Sequence, residues 1–142
     1  MIQRSKLQVV LAFVERINAH DLKGMLALIT PDHRLLDALG ESVRGLQNVR
    51  RAWKGYFAMV PDYEIVPDEV IAEGHTVALF GKAHGTFCSN GELRPEDRWE
   101  IPFAARALVR GQRVATWQIY CDNAPIRRII RARSGVQAGE FQ

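Results

Sequence analysis

The chain has 142 residues, a length typical of one globular domain, with 47% hydrophobic and 25% charged residues. This composition excludes a disordered polar chain and a collagen-like repeat, and two cysteines are too few for a disulfide-rich scaffold. The formal net charge of +3 is more than accounted for by the four arginines of residues 127–133. We therefore expect a solvated basic C-terminal segment and no nucleic-acid-binding face.

The first third of the sequence has helical periodicity. Ser5 and Gln8 have the spacing of a capping box, in which each side chain bonds a free backbone N–H at the start of a helix. Apolar residues then recur three and four positions apart, with Phe13 beside the stripe. A second helix is predicted over 22–29, and Pro31 ends it because proline disfavours helix in the residue before it.

A short hairpin and a third helix are predicted next. Residues 34–39 form a strand that turns at Gly40 and pairs with 42–44. Gly45 opens the helix. Its apolar stripe consists of Leu46, Val49, Trp53, Tyr56, Phe57 and Val60.

From residue 63 the pattern becomes extended. Strands are predicted over 63–73, 76–87, 98–109 and 114–122, with hairpin turns at Gly74 and around Gly111. Pro102 removes a ladder donor and is expected at a bulge or an edge. Helices followed by an antiparallel meander indicate an α+β fold, in which helices cover one face of a strongly curved sheet and enclose a pocket. Residues 1–142 are interpreted as one domain, with 123–142 as a basic C-terminal helix or tail.

Several short segments carry a family resemblance. They read Ile-Asn-Ala-His-Asp at 17–21, Leu-Leu-Asp-Ala-Leu-Gly at 35–40, Val-Arg-Gly at 43–45, Pro-Asp-Tyr at 61–63, Gly-Thr-Phe at 85–87 and Val-Ala-Thr-Trp-Gln-Ile-Tyr-Cys-Asp at 114–122. In this order and spacing they resemble the nuclear transport factor 2-like (NTF2-like) superfamily, and within it the SnoaL-like polyketide cyclase and ketosteroid isomerase-like group. The resemblance implies a cone of three N-terminal helices on a curved mixed or antiparallel sheet. It also implies a small hydrophobic molecule in the pocket and a homodimer formed through the outer sheet face.

Asp37 is the sharpest candidate for chemistry. It lies between apolar residues in a predicted strand, and a carboxylate held in an apolar pocket is a better base near neutral pH. The resemblance implies the same role, because the catalytic base of ketosteroid isomerases matches Asp37. The alternative is an exposed turn aspartate just before Gly40.

Phe80, Lys82 and His84 share one face of a predicted strand because alternate residues point the same way. The resemblance implies that this face lines the cavity. His84 could then donate a proton or polarise a carbonyl, and Lys82 could stabilise an oxyanion. The alternative places Lys82 in solvent and His84 as a partly buried strand residue.

Asp122 resembles a functional aspartate at the end of the last strand of SnoaL-like cyclases. Strand alternation puts it on the opposite face from Cys121 and Ile119, so the alternative is a capping aspartate at the strand end. The oxyanion donors of ketosteroid isomerases match Phe13 and residues 103–105 here, and neither can donate. Enolising chemistry would have to recruit His84, Tyr56 or Trp99.

The residues expected to contact a ligand are apolar, aromatic or long-chained. They are Phe13, Trp53, Tyr56, Phe57, Phe80, Lys82, Trp99, Ile101, Phe103 and Trp117. Such stripes also occur as plain core. No metal-ligand spacing, phosphate loop or nucleophile elbow is present, so we expect no metal and no cofactor.

Two functional hypotheses remain open. The first is a cofactor-free acid–base enzyme, an isomerase or lyase-type cyclase that abstracts a proton next to a carbonyl of a small hydrophobic substrate. Asp37 is then the base, His84 the proton donor and Asp122 a second carboxylate. The alternative is a non-catalytic small-molecule-binding or dimerisation module of the same fold. We expect a cytoplasmic protein with free thiols and no membrane partner, because no apolar run spans a bilayer and no secretory signal is recognisable.

Overall fold

The computed structural model describes residues 3–134 and confirms the α+β architecture. The helices are α1 (Lys6–Asn18), α2 (Leu22–Ala27), α3 (Leu46–Met59) and α4 (Ala124–Ser134). The strands are β1 (Ile29–Leu36), β2 (Ser42–Arg44), β3 (Glu64–Glu73), β4 (Thr76–Thr86), β5 (Arg98–Arg110) and β6 (Arg113–Tyr120). The part of the predicted C-terminal tail beyond residue 134 lies outside the described residues. None of the helices within residues 3–134 has the length and apolar character needed to cross a membrane.

Local capping sets the start of α1, whereas a long-range contact sets the end of α2. Ser5 and Gln8 form the predicted capping box, with bonds of 3.2 Å from the Gln8 N–H to the Ser5 hydroxyl and 2.8 Å from the Ser5 N–H to Gln8 Oε1. Helix α2 stops at Ala27, before the predicted residue 29. The Leu28 carbonyl accepts a hydrogen bond of 2.7 Å from the Val114 N–H instead. Pairing with the last strand therefore overrides the local helical pattern.

The six strands form one mixed sheet in the order β2-β1-β6-β5-β4-β3. All neighbours are antiparallel except β1 and β6, which are parallel. Register shifts interrupt the pairings β1–β6, β3–β4 and β5–β6, and such bulges bend strands and curve the sheet. Pro102 lies where β5 has no β6 partner, because their pairing begins at Ala104 and Tyr120. The expectation of an edge position for Pro102 is confirmed.

The hydrophobic core lies between the concave face of the sheet and helices α1 and α3. Phe13 and Trp117 are almost completely buried there, and their rings meet edge to face with centroids 5.3 Å apart. An edge-to-face pair of this kind adds about 0.5–1.5 kcal/mol beyond its buried area. Both residues are therefore central packing residues of the fold.

The C-terminal end of α1 and the turn that follows it hold the start of β3 in place. The Asn18 amide donates to the Ile65 carbonyl and accepts from the Ile65 N–H, both at 2.9 Å, so it replaces a missing strand neighbour. The His20 ring stacks on Phe57 at 4.2 Å, and its Nε2 donates to the Tyr63 carbonyl at 2.9 Å. This local network fixes the backbone from which Tyr63 projects.

His33 of β1 is a fully buried histidine whose ring has one partner. Nδ1 donates to the Val114 carbonyl at 2.7 Å, and Nε2 has no partner among the described residues. Burial lowers the pKa of His33 below its ordinary value of 6.5, although the bond to Val114 and the charge of Asp32 oppose this shift. The folded protein therefore holds a neutral imidazole at pH values where the unfolded chain binds a proton.

We expect this difference to make stability depend on acid. The contribution of His33 to the free energy of unfolding is fully present above pH 6.5. It decreases as the pH falls below that value, because His33 binds a proton more tightly in the unfolded chain. Urea unfolding between pH 7.5 and pH 5 measures the slope. His33→Gln should reduce the slope of the unfolding free energy against pH. His75→Gln, in an exposed turn, should leave this slope unchanged. An identical slope in wild type and His33→Gln would show that another group is responsible.

Candidate functional site

A cavity of about 550 Å³ lies between the concave face of the sheet, helix α3 and helix α4. This volume is in the range of sites for small organic ligands. Its apolar and aromatic walls include Leu35, Val43, Trp53, Met59, Ala83, Trp99, Ile101, Phe103, Ile119, Ile126 and Ile130. Its polar lining consists of Asp37, Glu41, Ser42, Tyr56, Tyr63, Cys121, Asn123 and Arg127.

Asp37 lies on the cavity wall, but in a turn and not in a strand. Strand β1 ends at Leu36, and Asp37 Oδ1 accepts the N–H groups of Leu39 at 2.9 Å and Glu41 at 3.0 Å. The side chain is half-buried. Asp37 therefore combines parts of both interpretations, because it is a turn aspartate and it also lines the cavity. Leu39, expected on the same inward face, is 49% exposed because the chain has already turned.

The predicted contacts on β4 lie outside the cavity. Phe80, Lys82 and His84 do share a face, but the buried face of this strand carries Leu79 and Ala83. Phe80 is 43% exposed, and His84 Nε2 lies 2.9 Å from the carboxylate of Glu64. The expectation that these three side chains line the cavity is therefore wrong, because alternation along the strand turns them to the outer face.

Asp122 also points away from the cavity. Strand β6 ends at Tyr120, and the exposed Asp122 accepts the N–H of Ala124 at 2.9 Å, at the first residue of α4. Ile119 and Cys121, on the alternate face, line the cavity. This geometry matches the alternative of a capping aspartate. Asp122 does not line the cavity, where it was predicted to act as a second catalytic carboxylate.

Among the predicted ligand contacts, those that line the cavity are Trp53, Tyr56, Trp99, Ile101 and Phe103. Phe13 and Trp117 are not in its lining, because they pack against each other in the core. Phe57 is covered by the His20 ring and is not in the lining either. Plain core packing was the alternative for these residues, and it applies to all three.

Two tyrosines contribute neutral hydroxyl groups to the cavity. The rings of Tyr56 and Tyr63 meet edge to face at 4.9 Å. Burial raises the pKa of both phenols far above their ordinary value, with a smaller contribution from neighbouring Cys121. Neither hydroxyl bonds another residue within 3–134. Both are therefore protonated donors that a bound oxygen atom can use.

Tyr63 and Cys121 were not predicted to contact a ligand, although strand alternation indicates both. Tyr63 alternates with Ile65 at the start of a strand, and Cys121 alternates with Ile119 at the end of one. Burial raises the pKa of the Cys121 thiol, and the charge of Asp122 adds to the shift. A thiol held protonated in this way is a poor nucleophile, so Cys121 serves as a wall residue.

The predicted basic C-terminal helix or tail is a helix, α4, over the described residues, and it covers the cavity instead of lying wholly in solvent. Ile126 and Ile130, four residues apart on α4, are buried against it, and Arg127 lines it. Arg133 Nε donates to both carboxylate oxygens of Asp97, at 2.7 and 2.8 Å, and Asp97 is only 3% exposed. Two of the four arginines thus have structural roles that composition alone does not reveal.

Metal-binding groups are not assembled in the part of the chain that the structure describes. Residues 3–134 contain no cluster of three or more histidine, cysteine, aspartate or glutamate side chains able to hold a metal ion. Cys88 and Cys121 are both free thiols.

Solved structures with the same fold have low sequence identity to this chain. A hypothetical protein from Catenulispora acidiphila with a ketosteroid isomerase-like fold, crystallised with trimethylamine, is 17% identical, with a TM-score of 0.74 over 93% of this chain and 95% of that chain. A candidate SnoaL-like polyketide cyclase from Shewanella denitrificans is 13% identical, with a TM-score of 0.77 over 89% and 97%. TerC, co-crystallised with polyporic acid, is 16% identical, with a TM-score of 0.73 over 89% and 98%.

Family membership rests on the sequence. No curated protein matches the chain. A sequence model does match it: the one for the SnoaL-like domain aligns with residues 10–117, which is more than half of the chain. The match begins within α1, includes α2 and α3, and reaches into β6. This chain therefore belongs to the SnoaL-like domain family.

Proposed function

We propose that the cavity binds a flat, mainly apolar carbonyl compound and that the protein catalyses proton transfer at the carbon next to the carbonyl. Asp37 is the base, and the hydroxyls of Tyr56 and Tyr63 hold the carbonyl oxygen. One observation carries the proposal. A carboxylate and two neutral, unpartnered phenols line the same aromatic cavity of about 550 Å³.

The steps follow from the groups in the lining. Trp53, Trp99 and Phe103 contact the faces of the flat ligand. The tyrosine hydroxyls donate to its carbonyl oxygen, and this interaction strengthens as negative charge develops there. The C–H bond breaks, its electron pair forms the enolate double bond, and the proton goes to Asp37.

Asp37 Oδ1 is already held by two backbone N–H groups, so Oδ2 is the oxygen available for the proton. The enolate can then follow one of two routes. Where a C=C bond of the ligand is conjugated with the enolate, return of the proton from Asp37 to a different carbon moves the double bond and gives an isomerisation. Where the enolate carbon attacks a second carbonyl of the same ligand, a ring closes as in a cyclase, and the resulting alkoxide takes the proton from Asp37.

The ligands of the structural relatives support a small-molecule cavity. TerC was crystallised with polyporic acid, and the Catenulispora acidiphila protein with trimethylamine. The name of the Shewanella denitrificans protein, a candidate polyketide cyclase, agrees with the reaction class proposed for this chain.

Asp37→Asn tests the proposal, with 2-acetonaphthone as a flat, enolisable ketone. We expect the wild type to exchange the methyl protons of this ketone for deuterium, measured by NMR, and the variant to lose about 100-fold of the rate. Asparagine keeps an acceptor for the N–H groups of Leu39 and Glu41, so the turn is retained. Asp122→Asn, which neutralises an exposed carboxylate outside the cavity lining, is the matched control and should retain the rate.

A second candidate function is ligand binding without catalysis. It is favoured by the engagement of Asp37 Oδ1 with the backbone and by the position of His84 on the opposite face of the sheet. If 2-acetonaphthone quenches the tryptophan fluorescence of the wild-type protein but no protons are exchanged, ligand binding is the function in place of catalysis. Unchanged exchange in Asp37→Asn would instead show that another group is the base.

We further propose a cytoplasmic homodimer. The free thiols of Cys88 and Cys121 support a reducing compartment. The outer face of the sheet supports self-association, because Phe80, Ala104 and Tyr120 lie side by side on three neighbouring strands. Phe80 and Tyr120 are 43% and 51% exposed, respectively.

A further inference from the structure

We infer that the ligand of this cavity is an acid, a flat apolar molecule whose carboxylate is bound by Arg127. This inference names the substrate class of the site and rests on the proposed function for the remainder of the ligand. It starts from the observation that one arginine of the basic C-terminal segment lies in the wall of an otherwise largely apolar cavity.

Arg127 is half-buried and has no acidic partner within residues 3–134. Among the described residues, the hydrogen bond of its guanidinium is to the side-chain oxygen of Asn123, four residues earlier on the chain. By contrast, Arg133 on the same helix is paired with Asp97 and Glu96. Arg127 is thus the arginine of α4 that combines a position in the cavity wall with free donors.

A guanidinium that is partly withdrawn from water loses hydration, and a neutral amide oxygen compensates for little of it. Arg127 retains several N–H donors in a planar fork. The natural partner of that fork is a carboxylate, which accepts two parallel hydrogen bonds. A carbonyl or hydroxyl would use only one of them. The chemistry of the free group therefore selects an anionic ligand.

The other charges in the lining orient such a ligand. Asp37 and Glu41 lie in the turn between β1 and β2, whereas Arg127 lies on α4. No ion pair joins Arg127 to either carboxylate. The two acidic groups repel an anion from their side of the cavity, so the carboxylate of the ligand is directed to α4. Its reacting carbon then remains near Asp37.

Binding of two matched probes tests the inference. 2-Naphthoate and 2-naphthamide have the same flat ring system and differ in charge, and neither has an enolisable proton. We expect wild-type protein to bind the naphthoate at least about tenfold more tightly by isothermal titration calorimetry, because a charge-assisted pair exceeds a neutral one by that amount or more. Arg127→Gln should abolish the preference. Arg131→Gln, an exposed arginine one turn further along α4, should retain it.

Two results would overturn the inference: equal binding of the two probes by wild type, or an unchanged preference in Arg127→Gln. Arg127→Lys supplies a second variant, which keeps the charge without the fork and should show an intermediate preference. Failure of the proposed proton transfer is separable, because these probes cannot turn over. Asp37→Asn removes a carboxylate that repels the anion, so it should keep or increase the naphthoate preference while it slows deuterium exchange.

Discussion

Replacing Arg133 with alanine is expected to lower the free energy of unfolding by about 3–5 kcal/mol, because it leaves a buried carboxylate without its counter-charge. Asp97 is 3% exposed, and both of its oxygens accept from Arg133 Nε. The same substitution releases α4 from the turn before β5. Ile126 and Ile130 then no longer cover the cavity, so affinity for a flat ligand such as 2-acetonaphthone falls as well.

Urea unfolding of a double-mutant cycle checks this expectation. Asp97→Ala together with Arg133→Ala removes both charges and should restore much of the loss, since an uncharged pair needs no compensation. Arg131→Ala, an exposed arginine on the same helix, should change stability by less than about 0.5 kcal/mol. If Arg133→Ala lowers the free energy of unfolding no more than Arg131→Ala does, the pair of Arg133 and Asp97 does not hold α4 in place.

Phe80→Glu is expected to convert the proposed homodimer into a monomer. In an interface through the outer sheet face, the second copy would cover the exposed Phe80. A carboxylate buried there without a partner costs several kcal/mol in each copy. Light scattering after size-exclusion chromatography measures the mass directly.

Leu46→Glu is the matched control for the dimer. Leu46 is 39% exposed at the start of α3, on the opposite side of the sheet, so its replacement should leave the mass unchanged. Wild-type protein that elutes as a monomer at micromolar concentration would contradict the proposed dimer. A dimer that survives Phe80→Glu would place the interface elsewhere.

Much of the fold could be predicted because its signals are local. The Ser5 capping box depends only on residues three apart, and the hairpins at Gly74 and Gly111 depend on a backbone conformation that glycine adopts freely. Both glycines have positive φ, at 59° and 64°. The end of α2 could not be predicted in this way, because it is set by pairing with residue 114, far along the chain.

The site was harder to predict than the fold because it depends on which face of each strand points inward. The residues around His84 have the alternating pattern of a strand. Alternation alone does not say which of the two faces of the strand meets the helices. Arg127 illustrates the opposite problem. It lies three residues before Ile130, a spacing that places both residues on the same side of α4, yet composition groups it with solvated arginines.

The position of β6 has a consequence for how the chain acquires its structure. Among the described strands it is the last to be synthesised, yet it lies between β1 and β5 near the middle of the sheet. Until residue 120 has left the ribosome, both of those strands present bare edges that invite association with other chains. The sheet thus cannot be completed before β6 is made, and a fragment that ends before this strand is prone to aggregation.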